Sequence, residues 1–167
     1  IRKTLEAGRE RDLQPLAVVV LDAGGHVVAF ERSDGASAGR FAIAHGKAYG
    51  AVMMGLPGSD LQARAAANPA FMGALNGAFG GAIVPVPGGI LVRDARGRLL
   101  GAVGVTGDTS DNDAQAGQAG IEAAVAPLGT ALTELQMEEM WRLVDAPILC
   151  FDGDPAGQKA AARAAEI

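Results

Sequence analysis

Two stretches of this chain carry side chains suited to chemistry, and the first surrounds His45. This histidine precedes Gly46 and Lys47 in a run of small and apolar residues at helical spacing. A neutral imidazole can coordinate a metal ion, an ammonium group can pair with a carboxylate, and a glycine leaves room for a ligand over one helical turn. A half-exposed histidine on a helix surface, binding nothing, is the alternative interpretation.

The second stretch is an acidic pair near the C-terminal end. Asp152 and Asp154 flank a glycine directly after the apolar run 147–151, which is typical of a buried strand. Two carboxylates in this position could hold Mg²⁺, but a hard cation needs about six oxygen ligands. We therefore expect the pair to bind Mg²⁺ no better than ordinary surface carboxylates do.

The stretch 97–116 organises the rest of the chain, because it is predicted to be a buried strand that passes through a glycine-rich turn into a helix. Gly101 and Gly104 leave part of the strand bare, so that a neighbouring backbone or a ligand can approach. Thr106 ends the strand, where its hydroxyl could be a weak iron partner or could satisfy a backbone group. Ser110 and Asp113 have the spacing of a capping box.

Other polar residues carry weaker signals. His26 lies in a predicted turn and is expected to be solvated. Asp34 with Arg32, Arg40 and Lys47 could bind a ligand that carries a carboxylate, or could form surface ion pairs worth little, which is the favoured interpretation. Residues 1–129 contain no G-x-S-x-G, H-E-x-x-H or paired-cysteine motif, so their sequence gives no support for metal or nucleophilic catalysis.

The periodicity of the chain predicts two β-hairpins separated and followed by helices, which is an α+β layer with a largely antiparallel sheet. The hairpins comprise strands at 16–21 and 27–30 and at 90–92 and 99–105. Helices are predicted over 1–11, 36–56, 59–67 and 68–76, and from Asp111 to about Pro127.

Length and composition favour one main domain that does not bind polyanions. The chain has 167 residues, of which 49% are hydrophobic and 4% aromatic, and a net charge of −5. The charge disfavours nucleic acid and anionic membranes, and no apolar run is long enough to span a bilayer. Cys150 is the single cysteine, which fits a reducing compartment and predicts a cytoplasmic location. Because the sequence starts at Ile1 without methionine, removal of a signal peptide stays open.

The composition changes near residue 129. Residues 1–129 hold 12 acidic and 11 basic residues, whereas residues 130–167 hold 7 acidic and 3 basic residues. Glycine is also concentrated before this point. The sequence therefore predicts a boundary there, with domains at 1–128 and 129–167.

The first of these domains resembles a known family. The segments PLAVVVLDAGGHVVAFERSDGA, FAIAHGKAYGAVM, PGG and RGRLLGAVGVTGDTSDNDAQAGQAG are together similar to the GlcG/HbpS-like family, which includes haem-binding-protein-like and PduO C-terminal-domain-like proteins. The resemblance implies a profilin-like α/β/α fold, a homo-oligomer from tetramer to octamer, and a pocket used by some members for haem or other small molecules.

The second resembles part of another protein. The stretch LCFDGDPAGQKAA is similar to the metal-binding strand and helix of the Toprim domain of bacterial DnaG-type primases. The glutamate-bearing motif, the remaining strands and the basic template groove of that family are missing from this sequence. We expect a helix-strand-helix fragment without a complete metal site.

These observations favour a small-molecule or haem-binding oligomer over an enzyme. The candidate cofactor site comprises His45, Lys47, Gly101, Gly104 and Thr106. An enzyme that acts on haem or a small metabolite in the same pocket is the first alternative. Primase activity from the C-terminal fragment has less support, and so has nucleic acid as a partner.

Overall fold

The structure is a computed structural model that describes residues 1–94, 96–123, 158–159 and 161–162. The chain divides into two compact units, Ile1–Gly120 and Ile121–Ile167. The first unit contains the sheet and the helices that pack on it.

The described elements follow the predicted order. They are α1 (Arg2–Glu10), β1 (Ala17–Asp22), β2 (Val27–Arg32), α2 (Arg40–Met54), α3 (Gly58–Ala67), α4 (Pro69–Ala78), β3 (Gly89–Arg93), β4 (Leu99–Thr106) and α5 (Ser110–Glu122). Asn68 caps α4 because its side-chain oxygen accepts a hydrogen bond from the backbone N–H of Phe71, at 3.1 Å. Proline at the next position favours a helix start at this point.

The four strands form one antiparallel sheet in the order β2-β1-β4-β3. Both predicted hairpins are present, and the two inner strands pair with each other, Val19 lying opposite Gly104. The α+β class with an antiparallel sheet is therefore confirmed. Strand β2 is an edge strand, and all six of its residues are exposed.

Helix α2 covers one face of this sheet. Its alanines at 44, 48 and 51 are fully buried and pack against Val19, Leu21 and Ala102. Small side chains on the helix and glycine on the strand let the two backbones come close together. This explains how a chain with so few aromatic residues builds a dense core.

Helices α1 and α5 lie on the opposite face. Gly117 of α5 approaches Ile90 and Val105, whose side chains project from β3 and β4. Gly120 approaches Thr4 of α1, so the two helices are in contact as well. Helices on both faces agree with the layered fold that the family resemblance implies.

The predicted capping box at the start of α5 is wrong. The helix begins at Ser110, and the hydroxyl of Thr109 accepts a hydrogen bond from the backbone N–H of Asn112, at 3.3 Å. Asp113 is buried and accepts hydrogen bonds from the Asp108 N–H and from Lys47 instead. A buried cation competes for this carboxylate, which the spacing of residues alone could not reveal.

Most of the predicted C-terminal helix-strand-helix segment lies outside the described residues, as does the predicted end of α5 near Pro127. The residues described there, at 158–159 and 161–162, are helical. Within the described ranges, no helix has the length and apolarity that crossing a membrane requires.

Candidate functional site

His45 lies in a row of aromatic rings on the surface of α2. Phe41 and Tyr49 lie one turn before and one turn after it, with ring centroids 5.8 Å and 5.4 Å from the imidazole. The His45 and Tyr49 rings are stacked, with 17° between their planes. Phe30 of β2 contacts Phe41 edge-on at 4.9 Å, and Phe79 contacts Tyr49 edge-on at 6.1 Å. We call these five residues the aromatic ladder.

The aromatic ladder contains most of the aromatic residues of the chain. Four of its members are among the seven Phe, Tyr and Trp residues of the whole sequence. Phe30 and Phe41 remain 39% and 40% exposed, so the rings are not simply core. A partly exposed row of rings with a half-buried imidazole suits a flat, conjugated ligand.

A hollow of about 410 Å³ lies beside His45. Its walls come from β2, from α2 and from the segment that follows α4. It is lined by Val27, Phe41, Ala42, Ile43, His45, Gly81, Ala82 and Val84. We call this cavity the His45 hollow. Among its lining side chains the imidazole is the one nitrogen donor able to bind a metal.

Gly46 allows segment 82–84, which lines the His45 hollow, to pack closely against α2. A Cβ at this position would lie 2.6 Å from Cγ2 of Val84 and 2.9 Å from the carbonyl oxygen of Ala82. The backbone N–H of Val84 donates to the carbonyl of Gly46 at 3.1 Å. The space that we expected to serve a ligand is therefore occupied by segment 82–84, which crosses α2 there.

Lys47 lies on the other side of α2 from the hollow. Its Nζ donates to Oδ2 of Asp113 at 2.7 Å, and the two side chains are 3% and 1% exposed. Burial lowers the pKa of the Lys47 ammonium and raises the pKa of the Asp113 carboxyl, and their mutual hydrogen bond opposes both changes. The pair joins α2 to α5 and leaves little of Lys47 accessible to a ligand.

The predicted glycines lie where backbones meet. A Cβ at Gly104 would collide with the carbonyl of Ala44 in α2, and one at Gly101 with the carbonyl of Leu21 in β1. Helix α2 and strand β4 are thus in direct contact at Gly104. Of the two alternatives that the sequence left open, a neighbouring backbone or a ligand, the structure shows the backbone.

Thr106 is also engaged. Its hydroxyl accepts a hydrogen bond from Nη1 of Arg40 at 2.9 Å, while Nη2 of Arg40 donates to the carbonyl of Gly107 at 3.0 Å. The structure therefore places His45 at the hollow and puts the other four predicted residues at contacts between elements. Sequence reasoning missed Phe41 and Tyr49, although their spacing of four residues on either side of His45 is a helical signal.

The other histidine has a different environment. His26 is exposed in the β1–β2 turn, where Nδ1 lies 3.2 Å from Oδ2 of Asp22. The backbone N–H of His26 is the main cause of the lowered pKa of Asp22. This agrees with the expectation of a solvated turn residue and makes His26 a natural control for His45.

Asp152 and Asp154 lie outside the described residues. In the described part of the chain, no cluster of three or more His, Cys, Asp or Glu side chains could hold a metal ion.

Comparisons with known proteins agree with this architecture. Residues 1–122 match the sequence profile described as haem degrading protein HbpS-like. Among solved structures, the PduOC–haem complex has a TM-score of 0.65 at 26% identity, covering 72% of this chain and 85% of PduOC. A double mutant of Streptomyces reticuli HbpS has a TM-score of 0.65 at 28% identity, covering 75% of this chain and 81% of that protein.

The C-terminal end matches a different group. Residues 114–167 match the profile of the Toprim domain. A stretch of 49 residues, 29% of this chain, is 55% identical to the DNA primase of Pseudomonas aeruginosa. A stretch of 46 residues, 28% of this chain, is 54% identical to the DNA primase of Rickettsia felis. The matched parts are 7% and 8% of these primases, so the chain spans less than a tenth of their length.

Proposed function

This chain belongs to the HbpS-like family, and on that basis we propose that it binds haem in the His45 hollow, where the imidazole of His45 would hold the iron. The observation that carries the proposal is the placement of this one half-buried histidine in an apolar hollow, within a row of stacked rings. The structural likeness to a PduOC–haem complex supports the same ligand.

The residues present fit this ligand in their chemistry. Imidazole is a common axial ligand, and haem would supply an iron centre able to bind or activate small molecules. Val27, Ile43 and Val84 offer apolar surface to a macrocycle. Phe41 and Tyr49 restrict the orientation of the imidazole by packing on either side of it. No described residue that lines the hollow is a lysine or arginine, so its lining offers no cationic partner to the carboxylates of haem.

The test is a titration with haemin, followed in the Soret band. We expect His45→Ala to change the band and to weaken binding by at least about tenfold, because an axial ligand is lost. His26→Ala is the matched control, since it removes the other histidine from an exposed turn, and it should bind as the unmodified chain does. An unchanged spectrum and affinity in His45→Ala would exclude His45 as the ligand.

An enzyme that acts on haem in the same hollow is the second candidate, favoured by the description of the matching family as haem degrading. Loss of the Soret band with formation of a product, when a reductant is added to the haem-loaded chain, would support it. A stable spectrum under the same conditions would favour a binding protein.

We propose in addition a homo-oligomer and a cytoplasmic location. The exposed edge strand β2 supports assembly with other copies. The single cysteine fits a reducing compartment. The short match to primases supports a C-terminal segment at 129–167 that corresponds to a part of a Toprim domain.

A further inference from the structure

A second cavity, of about 510 Å³, lies at the C-terminal end of α1. It is bordered by the connection from α1 to β1 and by the end of β2. Its lining residues are Leu5, Gly8, Arg9, Leu13, Gln14, Pro15, Leu16, Glu31, Arg32, Ser33 and Asp34. It shares no lining residue with the His45 hollow, so it is a separate site.

Apolar side chains make up part of the wall of this cavity. They are Leu5 and Leu16, which are 5% and 3% exposed, and Leu13 and Pro15. A Cβ at Gly8 would lie 2.6 Å from Cδ1 of Leu16, so the glycine of α1 packs closely against this leucine, which directly precedes β1. The cavity can therefore accept an aliphatic group and remove it from water.

The rim of the cavity carries charges of both signs. Arg9 and Arg32 provide two guanidinium groups, and Glu31 and Asp34 provide two carboxylates. In the ranges that the structure describes, none of these four side chains takes part in an ion pair or a side-chain hydrogen bond. All four are exposed, and their hydrogen-bonding groups are open to a ligand.

The end of β2 adds backbone groups to this rim. The N–H of Ser33 donates to the carbonyl of Leu16 at 2.9 Å. Because bonding alternates along an antiparallel ladder, the N–H and C=O of Arg32 point away from β1 toward the free edge of the sheet. Residue 32 thus offers both its guanidinium and its backbone to a bound molecule.

The charges on the rim disfavour a ligand that carries only one charge. The two arginines would attract a carboxylate, but the two acidic side chains would repel it. An ammonium group would be attracted by the acidic side chains and repelled by the arginines. A molecule with one ammonium and one carboxylate can satisfy both pairs while its side chain contacts the apolar part of the wall. We infer that this cavity binds a small zwitterion with an aliphatic side chain, of the chemical class of the apolar α-amino acids.

The experiment is calorimetric titration of the full chain with L-leucine, L-valine and L-methionine. Two analogues of leucine test the charges separately: 4-methylpentanoate lacks the ammonium group, and 3-methylbutylamine lacks the carboxylate. We expect at least one amino acid to bind, and each analogue to bind at least about tenfold more weakly than leucine. Absence of binding by all three amino acids up to about 10 mM, or equal binding by 4-methylpentanoate, would overturn the inference.

Variants locate the site. Arg32→Gln and Asp34→Asn should each weaken amino-acid binding by at least about tenfold, since each removes one charge from an exposed rim position without touching the core. Arg64→Gln, on the exposed surface of α3 and outside the cavity, should leave binding unchanged. Equal binding by all three variants would contradict this location. Because His45 is not in this cavity, the result is independent of whether haem binds.

Discussion

Lys47 and Asp113 form the one ion pair of the described residues in which both side chains are almost completely buried. We expect Lys47→Met and Asp113→Asn each to lower the free energy of unfolding by about 3–5 kcal/mol, because each leaves an uncompensated buried charge. The double variant should lose much less than the sum of the two. Chemical denaturation of all four proteins measures the coupling, and additive losses would show that the pair does not act as a unit.

Asp108 links the start of α5 to the chain before β1. The backbone N–H of Gln14, the side chain of Asn112 and the N–H of Thr109 all donate to its carboxylate and lower its pKa. A carboxyl whose pKa is lower in the folded state stabilises the fold above its unfolded pKa of about 3.9. This stabilisation is lost as the pH falls through the lower folded value.

We therefore expect Asp108→Asn to reduce the melting temperature at pH 6 and to flatten its decrease between about pH 4 and pH 2. Asp111→Asn is the control, because Asp111 is exposed in the first turn of α5 and has no described hydrogen bond. Melting curves of the two variants and the unmodified chain over this pH range test the expected difference. Parallel curves for the Asp108 variant and the unmodified chain would mean that this carboxylate does not contribute to acid sensitivity.

The site shows which residue-level features a sequence can reveal. His45 was identified because a histidine within an apolar helical pattern is visible without a structure. Its neighbours Phe41 and Tyr49 follow from helical spacing alone. Phe30 and Phe79 reach the ladder from other elements, and Lys47 pairs with a carboxylate 66 positions away. Such contacts depend on how the elements pack, which local patterns do not determine.

At the scale of elements, the approach of α2 to β4 depends on Gly104. We expect Gly104→Ala to lower the free energy of unfolding by about 3 kcal/mol, because the added methyl would collide with the carbonyl of Ala44 and overpack the interface. Gly73→Ala adds the same methyl in α4, where no atom lies within 4 Å. It should stabilise the helix by about 0.5–1 kcal/mol. Urea denaturation of both variants tests the contrast, and a similar effect at the two sites would refute it.

Most of the helices and strands could be predicted from the sequence, whereas the start of α2 could not. Both hairpins follow from apolar runs separated by turn residues, and Pro57 and Pro69 mark where helices end or begin. Helix α2 was predicted to start at residue 36 but starts at Arg40. Residues 33–39 form turns instead, in which the backbone N–H of Ala36 donates a hydrogen bond to the carbonyl oxygen of Ser33. Alanine-rich and glycine-rich sequence gives no sharp signal for such a boundary.

At the scale of the whole molecule, β2 presents apolar side chains that one copy of the chain leaves uncovered. Val28 is 65% exposed and Val27 48% exposed, on an edge strand. We expect light scattering to give a multiple of 16.8 kDa, and Val28→Lys to lower that mass. Leu100→Lys is the control, since Leu100 is 46% exposed on β4. A monomeric mass at all concentrations would refute the proposed assembly.

The last prediction concerns the proposed boundary between residues 1–128 and 129–167. Helix α5 is described to Glu122, and its contacts with Thr4, Ile90 and Val105 come from Gly117 and Gly120. A chain that ends at Gly129 therefore keeps every described contact between this helix and the sheet. We expect it to melt cooperatively at a temperature close to that of the full chain, and with the same number of copies in the oligomer.

The same comparison tests the acidic pair in the removed segment. Because two carboxylates supply few of the roughly six oxygen ligands that Mg²⁺ requires, millimolar Mg²⁺ should raise the melting temperature of neither chain. An increase in the full chain that Asp154→Asn abolishes would instead show that the segment completes a metal site. Aggregation of the shortened chain, or loss of its cooperative transition, would mean that 130–167 covers apolar surface of the first domain, and the boundary would then separate two sequence origins within one folding unit.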